Sequence, residues 1–278
     1  MSLDEWVDFA FICGIIASLI WGAIDAIINN GKKKETVYFT QQEEDYNALV
    51  DFKDNEELKL KKAESAIKTI KDIGYLGTYK DEFSPRAEKM YEEVKALGES
   101  ESLKALRADL ASALISFYVN IPTEENAVKV EKIYQETKGY LINDDELRVK
   151  IAKLAEPLIS FYFMMLFKNT EQDAYPKNII TKAETIYKEV REFGSFNDIK
   201  DNLIESSLPL LRLYREIKVA DQSLVNSAKH IYAELFSLNN DAQIQPMKQA
   251  AEKLVKEIHA NFIANLPYKI PNSQIVKF

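Results

Sequence analysis

The chain has 278 residues, with 36 basic and 44 acidic side chains, a net charge of −8, one cysteine, eight glycines and eight prolines. An acidic balance lacks the concentrated basic surface that phosphate backbones require, so no nucleic acid is expected as a partner. A single cysteine excludes an internal disulfide framework and any multi-cysteine zinc site, while few glycines and prolines favour helices over the turn-rich strands of an all-β fold.

The first element stands apart. Val7–Ile28 reads VDFAFICGIIASLIWGAIDAII, with no charge between Phe9 and Ile24. As a helix it spans roughly 33 Å, enough for a hydrocarbon core of about 30 Å. It is expected to be a single transmembrane anchor. Acidic residues Asp4, Glu5 and Asp8 precede or open it, and Lys32, Lys33 and Lys34 follow it. Retention of basic residues on the cytoplasmic side places the N-terminus outside and the rest of the chain in the cytoplasm. Trp6 and Trp21 suit interfacial positions. Ala10, Gly14, Ser18, Gly22 and Ala26 recur every four residues and form a small-residue face on which copies or a partner helix could pack. Asp25 lies one turn from the end, within reach of water or the lysines.

Residues 1–34 are therefore read as anchor and basic flank, and 35–57 as a polar juxtamembrane linker with a short helix possible around Glu43–Phe52. Helical spacing begins at Leu58 and stops at Gly74, so 58–83 reads as a capping helix and loop, with Ser84-Pro85 as the next helix start.

From Ala87 the chain repeats itself. AEKMYEEVKALG recurs as VEKIYQETKGYL at Val130, AETIYKEVREFG at Ala183 and AKHIYAELFSLN at Ala228. Tyr91, Tyr134, Tyr187 and Tyr232 share one position, and the segment at Ala63 has the same pattern with Ile67 in the tyrosine's place. A longer helix follows each, with Leu103, Leu147, Ile199 and Ile244 opening it and Tyr118, Tyr162, Tyr214 and His259 near its end. The intervals are 43, 53 and 45 residues in the first ladder and 44, 52 and 45 in the second. A period near 45 split into two helices implies stacked helical hairpins that bury one another's apolar faces. The expected fold is all-α: the anchor, then an α-solenoid of four hairpins over 84–266, then a tail at 267–278. In helix pairing this resembles tetratricopeptide-type and other α-solenoids. The 34-residue period and W-x2-L-G-x2-Y signature of tetratricopeptide repeats are absent.

Candidate chemistry is sparse. The first tyrosine ladder reads as inter-repeat packing. Tyr118, Tyr162, Tyr214 and His259 are the candidate partner contacts, because one kind of helix lines the concave face of a solenoid. Pro157 and Pro209 share a repeat position and should kink both long helices, freeing the carbonyls of Lys153 and Glu205. His230 and His259 lie in different helices, and no HExxH, GxSxG, P-loop or GxGxxG occurs. No metal, cofactor or catalytic residue is expected. The sequence points to a membrane-anchored scaffold that binds a protein or peptide and possesses a face for homo-oligomers. The alternative is a subunit of a membrane transport, secretion or envelope complex, docking through its repeats.

Overall fold

The computed structural model describes residues 43–49, 55–75, 80–140, 145–168, 177–194, 196–217, 221–237 and 244–266. The expected anchor at 7–28, with its small-residue face, lies outside them. So does the tail. Among the described residues no helix is long and apolar enough to cross a membrane. The chain divides into two units, Met1–Lys53 and Asp54–Phe278. In the first, the described segment is a short helical stretch over 43–48, within the Glu43–Phe52 range where a helix was expected.

The second unit is all-helical in its described residues. Its helices are α1 (Glu56–Tyr75), α2 (Lys80–Lys95), α3 (Glu101–Val119), α4 (Glu124–Lys138), α5 (Asp145–Ala152), α6 (Ala155–Lys168), α7 (Lys177–Val190), α8 (Phe196–Glu216), α9 (Gln222–Ser237) and α10 (Gln245–Ala264). Local chemistry starts several of them. Asn55, Ser100 and Thr123 each accept a backbone N–H three residues on, from Leu58, Leu103 and Asn126. Such caps satisfy donors that a helix leaves unpaired in its first turn, each contributing about 1 kcal/mol.

The expected alternation of short and long helices is present. Long helices pack in succession, α1 on α3, α3 on α5 and α6, these on α8, and α8 on α10. Short helices α2, α7 and α9 each lie against the long helices on both sides of them, and α4 lies against α3. The long-helix layer carries the apolar core. Ala108, Ala111 and Ile115 of α3 are closed to solvent, as are their repeat equivalents Ala152, Ala155 and Ile159, and then Ile204, Ser207 and Leu211 of α8.

Three expectations are corrected. The Ala63 segment shares the short-helix motif, yet α1 packs against both α2 and α3 as α6 packs against α7 and α8, and so belongs to the long-helix layer. Its Ala63, Ala66, Ile70 and Ile73 are wholly buried there. Second, α2 starts at Lys80, so Pro85 falls inside it and Ser84 is not its cap. Third, the two prolines differ in effect. At Pro157 the long helix breaks into α5 and α6, with Leu154 N–H donating to the Ile151 carbonyl in a tight turn. At Pro209 α8 continues unbroken. There Ser206 donates to the Asn202 carbonyl at 2.6 Å and Ser207 to the Ile204 carbonyl at 2.7 Å, back-bonding that lets a helix bend without breaking.

Candidate functional site: a cleft between short helices

Two sets of tyrosines organise the short-helix layer, and both end on carboxylates. Within each of the first three hairpins the long helix donates to the short one: Tyr118 to Glu88, Tyr162 to Glu131 at 2.9 Å and Tyr214 to Glu184 at 2.7 Å. Between hairpins, Tyr134 donates to Glu189 at 2.7 Å and Tyr187 to Glu234 at 3.1 Å. The same acids also take cations across each junction. Lys95 meets Glu136 at 2.8 Å, Lys138 meets Glu189 at 2.6 Å, and Arg191 meets Glu234. On the other side of the layer Lys129 meets Glu88 at 3.0 Å and Lys182 meets Glu131 at 2.5 Å. Exposed ion pairs stabilise little, but all of these except Lys95–Glu136 share a carboxylate with a buried phenol, and so fix register as well as charge.

Burial, together with the adjoining carboxylates, pushes the hydroxyls of Tyr118, Tyr134, Tyr162, Tyr187 and Tyr214 far above the ordinary tyrosine range. Burial does the same to Tyr91, whose hydroxyl has no hydrogen-bond partner among the described residues. By register its acid is Glu136, and Lys95 holds that acid while lying over the Tyr91 ring at 5.4 Å.

The ends of two short helices are closed by a buried cation from the long helix that follows. Arg107 donates to the carbonyls of Lys95 and Gly98 and to Glu99 at 3.0 Å, with its guanidinium over Tyr140. Gly98 has φ 146°, a backbone open to glycine and strained for other residues. Lys248, at the same repeat position, donates to the Phe236 carbonyl at 3.3 Å. A cation at a helix C-terminus satisfies exposed carbonyls and opposes the helix dipole.

Against this framework a cleft of about 310 Å³ opens between α4 and α7, above α6. Leu158, Ile186 and the rings of Tyr134 and Tyr162 form its apolar part, with Glu131 and Glu189 at its edges. Lys132 and Gln135 of α4 face Thr181, Lys182 and Thr185 of α7 across it. The repeat explains its location. The position of Thr185 is Lys132 one unit earlier and His230 one unit later, so the wall is lowest here. Both threonine hydroxyls bond back to their own helix, Thr181 to the Lys177 carbonyl and Thr185 to that of Thr181, which leaves their methyls for contact. Each edge carboxylate holds a tyrosine and a lysine, which uses two of its roughly four acceptor sites. The cleft can therefore take an apolar side chain while the edges accept donors flanking it. Its volume is at the low end of ligand pockets, ~300–1,000 Å³.

Of the candidate contacts, Tyr162 lines this cleft. Tyr118, Tyr162 and Tyr214 are at most 2% exposed, and their hydroxyls are occupied by Glu88, Glu131 and Glu184. Thus the four candidates are not gathered into one open surface. His259 is half-buried and stacked on Phe262. In its unit the acid's position is taken by Lys229, and burial first, then that lysine, holds the imidazole below its ordinary range. Glu131, Glu189 and Thr185 were missed in the sequence. Glu88, Glu131 and Glu184 hold one place in the motif, and Glu93, Glu136, Glu189 and Glu234 another, a periodicity as regular as the tyrosines'. No group of three or more His, Cys, Asp or Glu able to hold a metal occurs among the described residues. Compared with known proteins, the chain matches no family model, no curated protein and no solved structure.

Proposed function

We propose that this chain is a helical-repeat scaffold: an α-solenoid of four hairpins that holds a protein or peptide segment, with an apolar side chain of that segment seated in the α4–α7 cleft. The observation that carries this reading is the cleft itself, apolar within and edged by carboxylates already fixed in place. Preorganised edges lower the ordering cost of binding. In this reading residues 7–28 anchor the scaffold in a membrane with the repeats on the cytoplasmic side. That part is supported by the apolar run and the lysines after it.

The test is Thr185→Lys, which restores the side chain found at Lys132 and fills the cleft without touching the core. The variant should keep the helical signal and melting temperature of the parent and lose captured partners. Undiminished capture overturns the cleft. For the anchor, the full-length chain should stay with membranes through a high-salt wash, and a chain beginning at residue 35 should not. A second reading, subunit of a membrane complex, is favoured by the ladder Ala10, Gly14, Ser18, Gly22 and Ala26. It predicts loss of assembly when 7–28 is exchanged for a generic apolar helix, an exchange that the scaffold tolerates.

A further inference from the structure

The two layers of the second unit end differently at α9 and α10. In the long-helix layer, the positions fully buried in earlier units become Gln249, Glu252 and Lys256, and Gln249 and Lys256 are exposed. This is the polar outer face of a terminal repeat. The short-helix layer carries no such change. Tyr91, Tyr134 and Tyr187 are 2–3% exposed, whereas Tyr232 at their position is only half-buried. The cation that reaches the next helix from Lys95, Lys138 and Arg191 is replaced by Phe236, which is 66% exposed and packs on the Tyr232 ring at 6.0 Å.

From this mismatch we infer that the α9 edge is a docking site for a single amphipathic helix from another polypeptide, one that carries a carboxylate for Tyr232. The register of the inner junctions specifies that chemistry. Tyr134 and Tyr187 each donate to an acid on the following short helix, and no described helix follows α9 in this layer. Charge agrees: Lys229 is exposed on α9 where Glu88, Glu131 and Glu184 stand in the earlier units, and Lys256, paired with Glu252 at 2.6 Å, lies beside Tyr232. Replacement of the cation by Phe236 means that the incoming helix meets an aromatic where inner helices meet a lysine or arginine. A second copy stacking end to end is disfavoured, because it would bury the polar face of Gln249, Glu252 and Lys256.

The experiment pans a displayed library of helix-forming peptides, each the length of α9, on the full-length chain. Enriched peptides should share an apolar stripe and one glutamate. For a synthetic copy of one of them, Tyr232→Phe should weaken binding about fivefold. Phe236→Ala, which removes the exposed ring without supplying the inner junctions' cation, should weaken it by roughly tenfold or more. Changing the peptide's glutamate to glutamine should weaken binding to the parent but not to Tyr232→Phe, which identifies the pair. Thr185→Lys should leave this binding unchanged, so failure here and failure of the α4–α7 cleft are separable. No enrichment, or binding indifferent to Phe236→Ala, overturns the inference. So does sedimentation as a dimer that Phe236→Ala dissociates, because the occupant is then a second copy. Peptide binding that appears only after removal of residues 267–278 also overturns it, since the chain then covers its own edge.

Discussion

Raising the pH probes the buried phenols directly. Tyr91, Tyr118, Tyr134, Tyr162, Tyr187 and Tyr214 all have folded-state values well above the ~10 of an unfolded tyrosine. Each keeps its proton in the folded chain over a range where the unfolded chain releases it. Their contribution is fully present below about pH 10 and declines above it, by up to ~1.4 kcal/mol per tyrosine per pH unit. Near pH 11 the six together cost about 8 kcal/mol, comparable with a whole domain's stability of ~5–15 kcal/mol. Lys129, raised by hydrogen bonds to Glu125 and Glu88, acts in the same direction as pH rises through its folded value. The chain should therefore unfold cooperatively at about pH 11. Tyrosinate absorbance followed alongside helical circular dichroism is the assay. The account requires a late step in absorbance that coincides with loss of helix. Smooth titration of all 14 tyrosines near pH 10, with the helical signal intact, would refute the reasoning.

Other perturbations test individual contacts. Arg107→Met strands the Lys95 and Gly98 carbonyls and should cost about 2–4 kcal/mol in denaturant melts, whereas Lys248→Met, whose bond to the Phe236 carbonyl is longer, should cost less. Tyr162→Phe takes one of the two donors that Glu131 has among the described residues and should cost about 1–2 kcal/mol, while Tyr91→Phe, whose hydroxyl has no partner among them, should be neutral or stabilising. Gln249→Ala, Glu252→Ala and Lys256→Ile together recreate the face of the first two units. That variant should self-associate with rising concentration in sedimentation, and failure to do so would contradict the polar cap.

The repeat was legible because apolar positions cannot vary without opening the core. Leu103, Leu147, Ile199 and Ile244, like Tyr91, Tyr134 and Tyr187, are held in register by burial, and burial leaves a pattern in residue type. What escaped was polar. Glu131 and Glu189 look like any solvated acid until a tyrosine 31 residues later and another 55 residues earlier are seen to donate to them. The cleft was harder still, because it arises from the shortness of Thr185 where other units carry Lys132 and His230, and a missing atom has no signature. The Ala63 motif misled for a related reason: α1 shares the short helices' pattern but packs among the long ones, and motif spacing does not specify a layer. Pro157 and Pro209 were read alike, yet Ser206 and Ser207 lie just before the second of them and not the first.

Photo-crosslinking would catch a partner segment seated in the α4–α7 cleft, as proposed above. A crosslinking residue placed at Gln135, on the wall of the cleft, should capture the partner. The same residue at Glu92, its repeat equivalent on α2, should not. Equal capture at both positions, or capture at Glu92 alone, would contradict the account.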